Sequence, residues 1–266
     1  MKKIINFIIK KIFLNWENPW YSKSLFHFSS LYIDFCYGDN NFDRNTNGEY
    51  RILKVLIPNM QTVFDIGANT GDYSFEIKNI KPEVIVHCFE PDSRAFSILK
   101  EKRWLIVNNI ALGDKSGIQT FHLSNKSTHN SFLDMEENIV ESQNVIVSTI
   151  DEYCQKNSIT HIDFMKIDVE GWEYFVLQGG KNLFEKGSIN YIQFEFSGAS
   201  RQARTFLKDF IDFFDNYKYD LYRIKPLTIE KVIYSPAKER FTLTNYLAIK
   251  RSIIPLKELH VQKKDF

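Results

Sequence analysis

The stretch Thr62–Gly71, T-V-F-D-I-G-A-N-T-G, decides how this chain is read. Val63 and Phe64 have strand character, and the run turns polar at Asp65 and glycine-punctuated at Gly67 and Gly71. Beyond it, D-Y-S-F-E-I places Tyr73, Phe75 and Ile77 at spacings compatible with a helix. The segment therefore reads strand, tight loop, helix. Glycine lacks a Cβ, so the backbone turns sharply there and a ligand can approach it closely. The helix start behind the loop offers unpaired N–H groups to an anionic or polar ligand.

The same alternation continues downstream. Val84–Glu90, V-I-V-H-C-F-E, is a nearly continuous apolar run of the kind that forms buried parallel strands. Pro91 opens a helix through Lys102, and Leu105–Leu112 reads as a third strand. Gly113–Gly117 is a turn cluster, and Ile118–Leu123 a following hairpin strand. Ser124–Asn144 is polar, and a loop of that length in a compact domain is often functional. Val145–Val147 is a short strand, and Thr149–Gln155 starts a helix. Ile162–Asp168 and Tyr191–Phe196 are further strands, separated by a helix over Glu170–Glu185. Arg201–Tyr217 has Phe206, Phe210, Phe213 and Phe214 on one side and reads as one long amphipathic helix. Leu221–Ile224 and Tyr246–Ile249 close the sheet as antiparallel strands. Alternating strands and helices predict one doubly wound α/β sheet.

Ahead of it, residues 1–57 form a helical extension: Pro19 interrupts it, Leu25–Tyr37 is helical, Gly38–Gly48 is a polar loop, and Glu49–Ile57 is a short helix that Pro58 ends. The sheet domain spans 58–252, and 253–266 is a tail. The extension begins M-K-K-I-I-N-F-I-I-K-K-I-F-L, with Ile4, Ile5, Ile8, Ile9 and Ile12 at helical spacing among lysines. This stretch is too short and too charged to span a bilayer. Two readings stand for residues 1–14: a helix packed on the domain or on a second copy in a homo-oligomer, or one resting on an anionic membrane surface.

Composition sets the outer bounds. Of 266 residues, 44% are hydrophobic and 23 are Phe, so a sizeable core can form. A net charge of +1 argues against a protein that relies on bulk attraction to nucleic-acid phosphates. Cys36, Cys88 and Cys154 lie far apart, which points to a reducing, cytoplasmic setting and away from thiolate zinc.

In doubly wound sheets the ligand sits beyond the carboxyl ends of the strands. Asp65, Glu90, Asp168 and Glu195 all fall near such ends. Burying four acids there is costly without partners, so as a set they mark a ligand site. Each taken singly also fits a helix cap or a solvated loop acid. Glu90 stands at the end of the second strand, where an acid accepts both hydroxyls of a ribose. The G-x-G-x-x-G dinucleotide fingerprint is absent, and D-x-G-x-x-x-G at 65–71 is instead similar to motif I of class I methyltransferases that use S-adenosylmethionine (SAM). On that reading Asp65 orders the loop or receives the SAM ammonium, Gly67, Ala68, Asn69, Thr70 and Gly71 meet its amino-acid end, and Asn109 and Ala111 border the adenine.

Six segments in order carry a closer resemblance: V-F-D-I-G-A-N-T-G-D-Y-S at 63–74, F-E-P-D at 89–92, N-I-A-L-G-D-K-S-G at 109–117, S-T-I-D-E-Y at 148–153, M-K-I-D-V-E-G-W-E at 165–173 and Q-G-G at 178–180. T-N-Y-L-A-I at 244–249 also looks like a closing strand. The chain resembles the FkbM family of SAM-dependent methyltransferases over roughly residues 60–250. The resemblance implies a Rossmann-like class I sheet, mostly parallel and seven-stranded with an antiparallel edge strand, preceded by the N-terminal helical extension. It implies O-methylation, with a sugar hydroxyl of a glycan or glycolipid precursor as the preferred acceptor and a small natural product as the alternative. A non-catalytic SAM-binding scaffold is the rival outside the enzymes. The setting would be the cytoplasm, with the inner membrane face as its periphery.

Methyl transfer to oxygen needs alignment of the hydroxyl with the methyl and sulfur, and removal of the hydroxyl proton. Asp168 stands where that base, or a metal ligand, is expected. Lys166 shares its face on a regular strand and either holds it ionised or binds substrate. His129, in the long loop, is a further candidate base. Asp168, Glu170 and Glu195 carry oxygen ligands suited to Mg²⁺ or Mn²⁺, so a divalent ion is the open mechanistic alternative. Trp172 reads either as a platform for a sugar ring or as core.

Overall fold

The computed structural model describes residues 19–124, 131–133, 139–236, 239–253 and 257–259, together with Ile4. It divides into two compact units, Met1–Asn40 and Asn41–Phe266. The first contains helix α1 (Pro19–Tyr37). The described helix starts at Pro19, a residue well suited to a first helical turn. Phe26, Phe28, Leu31 and Phe35 of α1 are exposed. No described helix is long and apolar enough to cross a membrane. Apart from Ile4, the basic segment 1–14 lies outside the described residues, as does most of the tail.

The second unit starts earlier than the sequence suggests. Helix α2 (Glu49–Leu56), expected within the extension, buries Ile52, Leu53 and Leu56 in the same apolar cluster as Val63 and Cys88 of the sheet. Its strong amphipathicity has no other outlet, so it folds with the sheet domain.

Eight strands form the main sheet: β1 (Thr62–Ile66), β2 (Ile85–Phe89), β3 (Ile106–Asn108), β7 (Ile162–Ile167), β8 (Ile189–Phe196), β9 (Tyr219–Ile224), β10 (Ile229–Lys231) and β11 (Thr244–Lys250). Their order is β10-β9-β11-β8-β7-β1-β2-β3. The pairs β1–β2, β1–β7, β2–β3 and β7–β8 are parallel, and β11 runs antiparallel between β8 and β9. This is the expected mostly parallel sheet with an antiparallel closing strand, extended by the three-residue β10. A second sheet holds β4 (Ala111–Leu112), β5 (Gly117–Ser124) and β6 (Ile139–Ser148), in the order β4-β6-β5.

Four segments differ from expectation. The run Leu105–Leu112 is two strands in different sheets, β3 and β4, because Asn109 leaves the ladder to hold other backbone. The short strand expected at Val145–Val147 extends back to Ile139 as β6. The region Glu170–Glu185 breaks into α6 (Glu173–Gln178) and α7 (Lys181–Glu185) at Gly179, where a Cβ would stand 2.0 Å from the Gly113 carbonyl oxygen. The region Arg201–Tyr217 is α8 (Gly198–Gln202) and α9 (Leu207–Asn216). Phe206 is the exposed cap of α9, while Phe210, Phe213 and Phe214 are buried as expected.

Alternate residues of β1 feed opposite faces, as the strand period requires. Phe64 joins the cluster with Phe89, Met165 and Phe194, whereas Val63 joins that of α2 and α3 (Asp72–Ile80). The register also aligns polar residues on the second face. Asp65 is level with Cys88 on one side and Lys166 on the other. Lys166 is level with Gln193, and two residues further along β8 Glu195 is level with Asn245. A polar strip therefore crosses the carboxyl ends of the central strands. The remaining helices, α4 (Ser93–Leu99) and α5 (Ile150–Lys156), follow β2 and β6, capped by Asp92 and Thr149.

Candidate active site

The glycine loop is fastened to both neighbouring strands. Gly67 N–H and Ala68 N–H donate to the Phe89 carbonyl at 3.0 and 3.1 Å. On the other side a Cβ at Gly67 would stand 1.8 Å from the Asp168 carbonyl oxygen, and φ is +83°. Only glycine fits that approach. Asn69 turns the loop with φ +49°, and Gly71 in the left-handed region opens α3.

Glu90, beyond β2, grips this loop. Its Oε2 accepts the Asn69 N–H and its Oε1 the Asp92 N–H, each at 2.8 Å. The carboxyl is buried, which pushes its pKa up to about 7 against the pull of those two donors. Each oxygen keeps a second lone pair. Asp65 is fully buried; its Oδ2 accepts the Ser74 hydroxyl at 2.6 Å, and its Oδ1 has no hydrogen-bond partner. Burial pushes its pKa up, opposed by Lys166, Ser74 and Arg44.

Lys166 and Asp168, two residues apart on β7 and at its end, pair as the strand period predicts. Lys166 Nζ lies 2.6 Å from Asp168 Oδ2, with the lysine side chain 3% and the aspartate 22% exposed. The same ammonium sits 4.8 Å from the centre of the Tyr73 ring. Arg44 approaches Asp168 Oδ2 to 3.5 Å, and its guanidinium carbon lies 5.6 Å from the centre of the same Tyr73 ring. Burial alone would raise the Asp168 pKa, but Lys166 and Arg44 outweigh it and hold the carboxyl below its ordinary value.

Arg44 and its supporting acid escaped the sequence reading. Glu49 of α2 is buried and accepts Gln193 Nε2 at 2.7 Å, Asn47 Nδ2 at 2.7 Å and Asn245 Nδ2 at 3.2 Å. Gln193 Oε1 in turn accepts the Tyr73 hydroxyl at 2.8 Å. The network ties the pre-sheet segment to the polar strip. Its residues come from distant parts of the chain with no local spacing to betray them.

The D-V-E-G turn after β7 is strained. Glu170 has φ +54° and Gly171 φ +96°, and a Cβ at Gly171 would meet the Ala199 carbonyl oxygen at 2.8 Å. Glu173 holds the turn by accepting the Val169 and Gly171 N–H groups at 3.1 Å. Non-glycine residues in this region persist where surrounding structure enforces them, often at functional sites. Burial first, then Asp168 and Glu173, push Glu170 up to about 9. Burial and the same acids push Glu195 well up. Both residues are only partly buried.

The remaining expected site residues have the following surroundings. Asn109 clamps backbone, donating from Nδ2 to the Glu90 and Pro91 carbonyls at 2.8 and 3.2 Å. Ala111 is buried with Phe121, Leu123, Val145 and Val147 in the smaller sheet, since β4 has left the main one. Thr70 Oγ1 donates to Asp72 Oδ2 at 3.4 Å at the surface. Trp172 stacks on Phe175 at 4.1 Å and packs at a tilt against Phe132 at 4.9 Å, which makes it part of an aromatic cluster. His129 lies outside the described residues. The expected ligand set Asp168, Glu170 and Glu195 is not borne out: among the described residues no three His, Cys, Asp or Glu side chains are disposed to hold a metal ion. The Asp168 carboxylate faces Lys166 and Arg44 instead.

A glycine loop between β1 and α3, an acid ending β2 and acids at the ends of β7 and β8 lie at the sheet edge where doubly wound folds bind a ligand, and the family match makes this the fold of a methyltransferase. The chain belongs to the methyltransferase FkbM domain family, matched over residues 65–221. It is similar to the 2-O-methyltransferase NoeI of Sinorhizobium fredii, with 26% identity over 163 residues covering 54% of this chain and 67% of that one. Among solved structures it is similar to methyltransferase FkbM from Methylobacillus flagellatus, at 16% identity and a TM-score of 0.43. That alignment covers 71% of this chain, which spans 43% of the other. Fibrillarin from Aeropyrum pernix, solved with natively bound SAM, aligns with a TM-score of 0.42 and 11% identity over 76% of this chain and 73% of that one.

Proposed function

We propose that the protein is a SAM-dependent O-methyltransferase. The observation that carries this reading is Glu90: a buried carboxylate at the end of β2, hydrogen-bonded to the glycine loop and still able to accept two more donors. A ribose diol supplies those donors. The missing Cβ at Gly67 lets the glycine loop pack directly on the Asp168 backbone, which fixes the loop on which that cofactor would lie. SAM, when bound, supplies an electrophilic methyl group on a sulfonium.

This chain's residues then orient the acceptor and remove its proton. Lys166 and Arg44 keep Asp168 ionised, which makes it a good hydrogen-bond acceptor for a substrate hydroxyl but a weak base. Glu170, two residues on in the strained turn and raised by burial and by Asp168 and Glu173, is the stronger base and takes the proton. The name of NoeI supports oxygen as the methylated atom. The family resemblance favours a sugar hydroxyl of a glycan or glycolipid precursor.

Thermal unfolding with SAM, S-adenosylhomocysteine and NAD tests the cofactor. Stabilisation by the two sulfur nucleotides is expected. A response to NAD alone would overturn the reading. Transfer of labelled methyl from SAM to a panel of glycans and small alcohols then tests the acceptor class, and label found only on nitrogen would exclude O-methylation.

A further inference from the structure

We propose that Arg44 anchors the carboxylate of the cofactor's amino-acid end, making the Asn41–Gly48 loop a part of the binding site contributed from ahead of the sheet. This rests on the proposal that the cofactor is SAM.

Sheet order gives the direction. Glu90 follows β2 and Asp168 follows β7, on opposite sides of β1 and its glycine loop. A nucleoside held by its ribose at Glu90 and laid across Gly67–Gly71 brings its other end to the β7 side. There the groups are Asp65, Asp168, Lys166 and Arg44, and each of the two acids is drawn to both cations. An α-ammonium suits the acids. A carboxylate placed beside two acids needs a cation.

Lys166 is committed, being buried, 2.6 Å from Asp168 and against the Tyr73 ring. Arg44 is 34% exposed, and its contact with Asp168, at 3.5 Å, is longer than a charge-assisted hydrogen bond. Its guanidinium carbon lies 5.6 Å from the centre of the Tyr73 ring, and a guanidinium presents a fork of donors that matches a planar anion. The neighbouring acids raise its pKa further despite burial, so it carries its charge at any working pH.

The loop is built to hold this position. Asp43 accepts the Asn45 N–H at its Oδ1, and its carbonyl accepts the Thr46 and Asn47 N–H groups. Gly48, with φ +103°, lies so close to Lys225 that a Cβ would stand 2.3 Å from that carbonyl oxygen. Glu49 then locks the next residue to β8 and β11.

The test is calorimetric binding of S-adenosylhomocysteine and of its decarboxylated analogue to wild type, Arg44→Gln and Arg44→Lys. Wild type should prefer the carboxylate-bearing ligand by about 10- to 100-fold, the range for hydrogen bonds between charged groups. Arg44→Gln should lose that preference while binding the decarboxylated analogue as wild type does, which also shows that the variant is folded. Arg44→Lys should keep part of it. If Arg44→Gln retains the full preference, the anchor is elsewhere and the proposal fails alone. If wild type binds neither ligand, the SAM reading fails and takes this proposal with it.

Discussion

Gly67 and Asp168 meet backbone to backbone: a Cβ on Gly67 would stand 1.8 Å from the Asp168 carbonyl oxygen, and Asp168 N–H donates to Ile66 at 2.9 Å. The loop proposed to carry the cofactor and the turn proposed to carry the acceptor are thus one rigid unit. Neither side of the contact has a flexible atom that can yield. Gly67→Ala should therefore cost several kcal/mol, from about 1–3 kcal/mol of backbone strain at φ +83° plus the displacement of β7. Denaturant unfolding and S-adenosylhomocysteine titration should both show the loss. Wild-type affinity in a folded Gly67→Ala protein would mean the loop does not contact the cofactor.

Glu90 should make cofactor binding pH-dependent. Burial lifts its carboxyl from an ordinary 4.5 to about 7. Ribose hydroxyls donate to the ionised form, so binding lowers this pKa and releases a proton. Affinity should rise with pH up to about 7 and level off above. The ligand-free protein should behave oppositely. A carboxyl raised in the folded state keeps its proton while the unfolded chain has lost it, so stability falls as pH climbs from about 4.5 to 7. Calorimetry in two buffers of different ionisation heat measures the proton released, and none near pH 6.5 would contradict a ribose at Glu90. Glu90→Gln should abolish the pH dependence and weaken binding, because an amide cannot accept both the Asn69 and Asp92 N–H groups.

The parts of this site legible in the sequence are those with a local signature. The strand-ending acids Asp65, Glu90, Asp168 and Glu195 and the loop glycines announce themselves through period and spacing, and the sheet order brings them together. Lys166 and Asp168 pair because residues two apart on a strand share a face. Arg44, Glu49, Gln193 and Asn245 were invisible because their partners lie across the fold: Glu49 meets Gln193 and Asn245 only once β8 and β11 are adjacent. Ala111 was misplaced for a related reason. Nothing in L-I-V-N-N-I-A-L says that the ladder is abandoned after Asn108.

Lys166 and Asp168 should show strong coupling. Asp168→Asn leaves a buried ammonium beside a neutral amide, and Lys166→Met leaves Asp168 with Arg44 as its remaining cation. Breaking a buried pair costs about 3–5 kcal/mol, less here because Asp168 is partly open. The double variant removes both charges and should be more stable than the sum of the single losses by about 1–3 kcal/mol. Urea unfolding of the four proteins closes the cycle. Additive losses would show that the pair contributes nothing as a pair.

Glu170 should set the pH profile of turnover. Its carboxyl is raised to about 9 by burial and by Asp168 and Glu173, so at neutral pH only a small fraction is ionised. If that fraction takes the hydroxyl proton, kcat should climb about tenfold per pH unit below pH 9 and flatten above it. Asp168 cannot produce this limb, because its pKa is moved down. Glu170→Gln should lower kcat by about 10²- to 10⁴-fold, the usual worth of general base catalysis, and remove the alkaline rise while leaving S-adenosylhomocysteine affinity intact. Burial, Asp168 and Glu170 also move the Glu195 pKa up, so Glu195→Gln is the comparison variant. An alkaline rise that survives in Glu170→Gln and vanishes in Glu195→Gln would transfer the proton-accepting role one strand over, to β8.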